Sequence, residues 1–176
     1  MTYLITIFNI LFMINALVIF DFQKDSNLSQ WRTVNDDAMG GVSNSRIYLN
    51  DEGNATFEGK VSLENNGGFA MTMYSFDEKN VSNYSKAIIK LRGDGKKYQF
   101  RVKSKSSDYF SYITHFETTG DWQTIELNLE DMYPSYRGRK LDKSNYPVIK
   151  VEQIAFLIGN KKEQQFKLEL DAITFM

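Results

Sequence analysis

Apolar residues alternate with polar ones along most of the chain, with a period of two. A period of two places successive side chains on opposite faces of a β-strand, so each run predicts a strand with one apolar face. Glycine-containing segments separate the runs, as expected for turns between short strands. The alternating apolar positions are Phe57, Gly59, Val61 and Leu63; Phe69, Met71 and Met73; Ala87, Ile89 and Leu91; Tyr98, Phe100 and Val102; Ile125, Leu127 and Leu129; and Phe166, Leu168 and Leu170.

Local signals add turns, a buried strand and a loop to this pattern. Asp94-Gly95 and residues 51–54 (Asp-Glu-Gly-Asn) each predict a hairpin, because such residues accept the positive φ of tight turns. The uninterrupted apolar run at residues 154–158 predicts a strand in the middle of a sheet. Residues 130–146 predict a long polar loop, and long ordered loops in compact domains are often functional.

Together these elements predict an all-β protein. Nine or ten short strands, with no helical pattern of about 10–15 residues between them, are typical of a two-sheet jelly-roll β-sandwich. We expect one such domain over residues 19–176, since this length suits a single core.

The N-terminus carries an apolar segment of a different kind. Residues 3–20 are apolar except for Thr6, Asn9 and Asn15. Residues 1–18 therefore predict a leader, either a signal peptide or a membrane anchor, that exports the protein or holds it at a membrane. The alternative is a cytoplasmic protein in which residues 17–22 form the first strand. The two interpretations are compatible, because a strand can begin directly after a leader.

Composition excludes several function classes. The 176 residues contain no cysteine and one histidine, His115, so disulfides, thiolate metal sites and cysteine nucleophiles are excluded. Lys and Arg number 21 against 22 Asp and Glu, and a net charge of -1 argues against a nucleic-acid binder. No convincing set of nucleophile and base is present, so we predict no catalytic residue and no enzymatic activity.

Five sequence blocks resemble the complex I intermediate-associated protein 30 family, in the family's order. The first is Trp-Arg-Thr-Val-Asn-Asp-Asp-Ala-Met-Gly-Gly-Val-Ser at residues 31–43. The others are Asn-Gly-Gly-Phe-Ala at 66–70, Leu-Arg-Gly-Asp-Gly at 91–95, Tyr-Pro-Ser-Tyr-Arg-Gly at 133–138, and Ile-Gly-Asn-Lys-Lys-Glu at 158–163 followed by Leu-Glu-Leu-Asp at 168–171. The resemblance covers residues 20–175.

This resemblance implies a galactose-binding-like jelly roll, related in shape to carbohydrate-binding modules and without a known catalytic role. Mitochondrial members help to assemble respiratory complex I, so the resemblance implies an assembly factor that contacts protein partners. The alternative function is that of a carbohydrate-binding module recognising a glycan. Both are binding functions and need no cofactor.

Within the blocks, we assign some residues to structure. Trp31 is expected to anchor the core, as buried aromatic residues do. Met39-Gly40-Gly41 and Gly67-Gly68 are expected at positions where the backbone has positive φ or passes close to another segment.

Other block residues are candidates for binding a ligand or a partner: Asn35, Asp36, Tyr133, Tyr136 and Arg137. The tyrosines supply stacking faces and Arg137 a planar fork of donors. Loops distant in sequence gather at one end of a sandwich, so we predict that the Asn35–Asp36 turn and Arg137 form one site, with a carboxylate orienting the guanidinium. The alternative is that this ion pair is only structural.

Two further charge patterns are present. Asp21 and Asp171 lie in the predicted first and last strands, and their pairing predicts a structural calcium ion, unless Lys161 or Lys162 neutralises them. Lys90, Arg92, Arg101, Lys103 and Lys105 alternate with apolar residues, which predicts one basic, solvated sheet face.

Overall fold

The computed structural model describes residues 16–176, apart from the side chains of Ala38 and Met39. These residues form two short 3-10 helices, Asp36–Met39 and Glu64–Asn66, and thirteen strands. The strands are β1 (Leu17–Asp21), β2 (Trp31–Asn35), β3 (Asn44–Leu49), β4 (Ala55–Val61), β5 (Ala70–Asn80), β6 (Lys86–Arg92), β7 (Lys97–Lys103), β8 (Ser111–Glu117), β9 (Trp122–Asn128), β10 (Tyr133–Tyr136), β11 (Arg139–Lys140), β12 (Lys150–Ile158) and β13 (Gln164–Phe175).

The strands make two antiparallel sheets. One sheet has six strands in the order β3-β4-β13-β6-β9, with β1 also paired to β13. The other has seven strands in the order β11-β10-β8-β7-β12-β5-β2. Apolar side chains from strands of both sheets, including Leu91 and Leu168 from one and Phe100 and Phe156 from the other, are fully buried in a common core. The predicted all-β, two-sheet sandwich is confirmed.

The strand predicted to lie in the middle of a sheet does so. β12 contains residues 154–158 and lies between β7 and β5. Ile154, Phe156 and Ile158 are fully buried in the core. Ala155 and Leu157 point to the opposite face, which the alternation of a strand requires.

One of the two predicted hairpins is confirmed and the other is wrong. Residues 51–54 connect β3 and β4, which pair directly, and Gly53 has a φ of 93°. Asp94-Gly95 instead carries the chain from β6 in the six-stranded sheet to β7 in the seven-stranded sheet. The predicted single basic face is wrong for the same reason, because Lys90 and Arg92 lie on one sheet while Arg101 and Lys103 lie on the other.

The side chain of Asp94 holds this crossover. Its carboxylate accepts hydrogen bonds from the Tyr98 hydroxyl at 3.0 Å and from the Lys167 backbone N–H at 2.9 Å. It also pairs with the Lys96 ammonium at 2.7 Å. A local Asp-Gly turn is thus tied to both sheets, which fixes where the chain changes layer.

We expect Asp94→Ala to lower the free energy of unfolding by about 1–3 kcal/mol, because the Tyr98 hydroxyl and the Lys167 N–H lose an ionised acceptor. Urea denaturation of both proteins measures the difference. Asp121→Ala is the control, since Asp121 is an exposed aspartate in another turn. Equal effects of the two substitutions would contradict a specific role for Asp94.

The two faces of β5 are the reverse of those that its apolar pattern predicts. The alternating Met71 and Met73 lie on the outer side of the sheet, not on the core side. Ala70 and Thr72 are fully buried on the core side. Met71 and Met73 are half-buried and line a cleft on the outer face of the sheet. Together with Val34 and Leu157, which line the same cleft, they form an apolar patch on the outer face, and such patches mark candidate binding surfaces.

The predicted loop at residues 130–146 contains a small hairpin. β10 and β11 pair through Ser135 with Lys140 and Tyr136 with Arg139. The two residues between them, Arg137 and Gly138, both have positive φ, 49° and 76°. Two such residues form the turn that suits a two-residue hairpin connection.

The leader prediction falls largely outside the described residues. β1 begins at Leu17, so Leu17 and Val18 of the predicted leader belong to a strand of the domain. Among residues 16–176 the structure contains no helix long and apolar enough to cross a membrane. Export or anchoring by the preceding residues stays a prediction.

Candidate functional site

A cleft of about 690 Å³ lies over the outer face of the seven-stranded sheet. Its floor is made by the central strands β7, β12 and β5. One wall comes from the end of β2 and residues 63–69, and the other comes from Tyr109 and the hairpin turn at residues 136–138. The two walls therefore stand at opposite edges of the sheet.

The first wall is held together by Asp36, a residue that is 2% exposed. One carboxylate oxygen accepts the Ser43 N–H at 3.0 Å. The other accepts the Ser43 hydroxyl at 2.5 Å, the Gly68 N–H at 2.6 Å and the Phe69 N–H at 3.3 Å. Burial by itself raises the pKa of Asp36, but the bonds from Ser43, Gly68 and Phe69 outweigh it and hold the pKa below its ordinary value.

Two positions next to the Asp36 carboxylate have no room for a side chain and therefore require glycine. A Cβ on Gly41 would lie 2.2 Å from one Asp36 oxygen, and a Cβ on Gly67 would lie 2.6 Å from the other. Gly40 and Gly68 have φ values of 83° and 139°, which L-residues rarely adopt. Met39 lies in the same turn, but its side chain is outside the described part of the structure.

The second wall carries aromatic side chains. Tyr136 is 38% and Tyr109 60% exposed, and their ring centroids are 5.3 Å apart at an interplanar angle of 80°. The Arg137 guanidinium lies 5.4 Å from the centre of the Tyr136 ring. These exposed rings give the wall two flat faces for a ligand.

The predicted contact between Asp36 and Arg137 is wrong. Asp36 follows β2 at one edge of the sheet, whereas Arg137 follows β10, with β8, β7, β12 and β5 between them. The Asp36 oxygens are occupied by Ser43 and the 68–69 backbone. Asn35, Asp36, Tyr136 and Arg137 nevertheless line the same cleft. Their role in binding a ligand stays a prediction.

Asn35 and Tyr133 occupy supporting positions. The Asn35 side chain accepts a hydrogen bond from the Ser45 hydroxyl at 2.6 Å, which joins the end of β2 to β3. Tyr133 is half-buried on β10, opposite Ile113 of β8. The Lys140 ammonium lies 5.3 Å from the centre of its ring.

Trp31 is buried in an aromatic cluster beneath the same sheet. Its ring stacks on Tyr74 at a centroid distance of 5.1 Å and packs against Phe20 at 5.6 Å and Phe22 at 5.4 Å. Phe20 lies on β1 and Tyr74 on β5, so Trp31 ties strand β1 of one sheet to the other sheet.

The floor of the cleft was not predicted. Gln99, Arg101 and Lys103 alternate along β7 and face the cleft. The cross-strand neighbours of Arg101 are Ile113 on β8 and Ala155 on β12. A small alanine beside a long arginine leaves room above the middle of the sheet. One signal for this site was present in the sequence. Arg101 lies on the outer face of β7, and its cross-strand neighbours on that face, Ala155 and Ile113, are apolar.

The predicted calcium pair has different partners. Asp21 lies opposite Ala172, one residue from Asp171. However, Asp171 forms an ion pair with Lys90 rather than with Lys161 or Lys162, and Asp21 accepts a hydrogen bond from the Gln23 amide at 3.2 Å. Among residues 16–176 no group of three or more His, Asp or Glu side chains is placed to hold a metal ion. The two carboxylates already have these partners and do not fit calcium, which prefers six or more oxygen ligands.

Comparison with known proteins identifies the family of this chain. The family described as Complex I intermediate-associated protein 30 (CIA30) matches residues 20–170. The chain belongs to the CIA30 family. Its curated relatives include the probable complex I intermediate-associated protein 30, mitochondrial, of Caenorhabditis briggsae, 25% identical over 181 residues, and the Mus musculus protein of that name, 24% identical over 183 residues.

The alignments cover only part of each relative, and one solved structure shares the fold of this chain. Each alignment spans 90% of this chain but only 53% and 55% of the two relatives, so the chain spans about half their length. Among solved structures, the family 11 carbohydrate-binding module of the cellulase Lic26A-Cel5E of Clostridium thermocellum has the same fold. Its TM-score is 0.67, with 15% identity over 92% of this chain and 94% of that one.

Most of the CIA30-like blocks meet at the cleft. Block 31–43 supplies Asp36, block 66–70 supplies the backbone that Asp36 binds, and block 133–138 supplies the opposite wall. In block 158–163, Gly159 lies against the Gly68 carbonyl, since a Cβ there would lie 3.1 Å from it. The exception is block 91–95, which forms the crossover turn. Residues distant in sequence thus shape one surface.

Proposed function

We propose that this CIA30-family domain is a non-catalytic binding module that holds a protein partner in the cleft, as an assembly factor would. The convergence of four sequence blocks on the two walls carries this proposal. The curated relatives are named complex I intermediate-associated proteins, which supports a protein as the class of partner.

The chemistry of the cleft supports binding rather than catalysis. Among the cleft-lining residues of the described chain there is no histidine. The one carboxylate of the lining, Asp36, is engaged by four hydrogen-bond donors and is buried. The exposed Tyr109 and Tyr136 rings and the half-buried methionines of β5 are surfaces on which a partner gains contact area.

Site-specific crosslinking in the source organism tests the proposal. A photoreactive phenylalanine analogue in place of Tyr136 should capture a discrete protein partner, because the ring lies on the cleft wall. The same analogue in place of Thr124, an exposed residue of β9 on the other sheet, is the matched control and should not capture it.

The captured partner is then purified and its affinity measured. Tyr136→Ala should weaken binding about tenfold, the usual size of an aromatic contact at an interface. A partner captured equally from both positions, or an affinity unchanged by Tyr136→Ala, would contradict the cleft as the binding surface.

Glycan binding is a second candidate that one observation favours. The planar polar side chains of Gln99, Arg101 and Gln153 face the cleft next to the exposed tyrosines, a combination that suits sugar hydroxyls and ring faces. A glycan array with the wild type and Tyr136→Ala separates the two candidates. Saccharide binding that depends on Tyr136, without a crosslinked protein, would favour the glycan.

A further inference from the structure

The charged side chains of the cleft are unbalanced. Arg101, Lys103, Arg137 and Lys161 line it, against Asp36 as the one acid. The Asp36 oxygens are already bonded to Ser43 and the 68–69 backbone. The protein as a whole has a net charge of -1, so this positive surface is local. Such a surface attracts anions into the cleft.

Arg101 is the most enclosed of these cations. It lies on β7, the middle strand of the seven. Its terminal N–H donates to the Gln99 amide oxygen at 2.8 Å, but its buried Nε has no hydrogen-bond partner among the described residues. Burial lowers the pKa of Arg101 to about 10, and the Tyr133 phenol opposes this effect.

No ion pair within residues 16–176 compensates this burial. None of the ion pairs formed by the described residues includes Arg101, and residues 1–15 contain no Asp or Glu. Enclosing a guanidinium without an anion costs free energy, and buried charges are normally paired. The fold therefore keeps a half-buried guanidinium without an ion-pair partner at the centre of its cleft, as far as the described residues show.

A second surface depression shows the contrast. A depression of about 730 Å³, lined partly by β3, β4 and β13, also contains several cations. There Arg46 pairs with Glu58 at 2.6 Å, and Lys96 pairs with Asp94 at 2.7 Å. Both of these cations are neutralised by carboxylates of the protein, whereas Arg101 has no such ion pair among the described residues.

The neighbours of Arg101 indicate the class of that ligand. On strand β5, Met73 lies opposite Ala155 of β12, and Met71 lies opposite Leu157. Flexible methionines and a leucine fit apolar side chains of varied shape. A sugar acid, covered with hydroxyl groups, would leave much of this apolar floor without suitable contacts.

We propose that the cleft binds an acidic polypeptide segment, in which an Asp or Glu carboxylate pairs with Arg101 and adjacent apolar side chains lie on Met71, Met73 and Leu157. A guanidinium is able to offer parallel N–H donors to such a carboxylate. This inference rests on the proposed function and specifies its partner.

Peptide display on the full chain tests it. A library of random heptapeptides is selected against the wild type, Arg101→Met and Arg46→Met. Arg46→Met removes the same charge from an exposed site on the other sheet. We expect wild type and Arg46→Met to enrich Asp or Glu flanked by apolar residues, and Arg101→Met to lose the acidic residue. A selected peptide should bind Arg101→Met about 10- to 100-fold more weakly.

Thermal melts keep the comparison interpretable. Because Arg101 is an uncompensated charge, Arg101→Met should melt at or above the wild-type temperature. If it does not fold, Arg101→Lys takes its place; it keeps the charge, lacks the fork and should bind the peptide with intermediate affinity.

The outcomes separate this inference from the proposed function. Enriched peptides without acidic residues would overturn the carboxylate at Arg101 and leave protein binding in the cleft supported. Binding of uronic-acid oligosaccharides that depends on Arg101, with no enriched peptide, would overturn the polypeptide and favour the glycan. If no peptide is enriched and no uronic-acid oligosaccharide binds, the inference is overturned. Crosslinking from position 136 would still decide the proposed function.

Discussion

Asp36→Asn will lower the free energy of unfolding by about 3–5 kcal/mol at neutral pH, the range for removing one partner of a buried charged network. Asparagine has nearly the same shape, but only one of its two terminal atoms accepts hydrogen bonds. Its NH₂ group would face donors from Ser43, or from Gly68 and Phe69. Urea denaturation measures the loss.

The effect has a defined pH dependence. The pKa of Asp36 in the folded protein lies below its ordinary value of 3.8, so the ionised carboxylate stabilises the fold fully at pH values above about 4. This contribution is lost as the pH falls through the lowered pKa. The difference in stability between wild type and Asp36→Asn should therefore be constant from pH 5 to 8 and shrink below about pH 4.

Asp37→Asn is the matched control for both measurements. Asp37 is the next residue in the same 3-10 helix and is exposed. Its substitution should change the free energy of unfolding by less than about 0.5 kcal/mol. Similar losses at both positions, or a difference between wild type and Asp36→Asn that does not shrink in acid, would contradict the central role of the Asp36 carboxylate.

The fold was largely predictable because the local pattern of a strand is repeated throughout the chain. Ala87, Ile89 and Leu91 alternate and are all fully buried. The assignment of strands to sheets was not predictable locally: the Asp94-Gly95 turn has the sequence of a hairpin. Its role depends on Lys167, which is distant in sequence and is brought to Asp94 by β13.

The candidate site divides in the same way. Residues of its walls, such as Asp36 and Arg137, lie in conspicuous Gly-rich or aromatic blocks and were named from sequence. The floor was missed because Arg101 in an alternating strand has the same local pattern as a solvated cation. Only the walls on either side, at opposite edges of the sheet, turn that face into a cleft.

Gly41→Ala will lower the free energy of unfolding by about 3 kcal/mol, the upper part of the range for overpacking. The new Cβ would lie 2.2 Å from an Asp36 oxygen and 2.4 Å from its Cγ. The carboxylate cannot move aside without giving up its bonds to Ser43, Gly68 and Phe69. Gly120→Ala is the control, since nothing lies within 4 Å of a Cβ at Gly120.

The cause of this loss is testable by a double-mutant cycle with Asp36→Ala. Asp36→Ala removes the two atoms nearest to the new Cβ and leaves the Cβ of residue 36 at 2.9 Å from it, so Gly41→Ala should cost only about 1 kcal/mol in that background. The resulting coupling of about 2 kcal/mol, measured from four urea denaturation curves, identifies Asp36 as the reason for glycine at position 41. Equal costs in both backgrounds would instead place the requirement in the backbone of the turn. In that case Asp36 and Gly41 would contribute independently to the wall of the cleft.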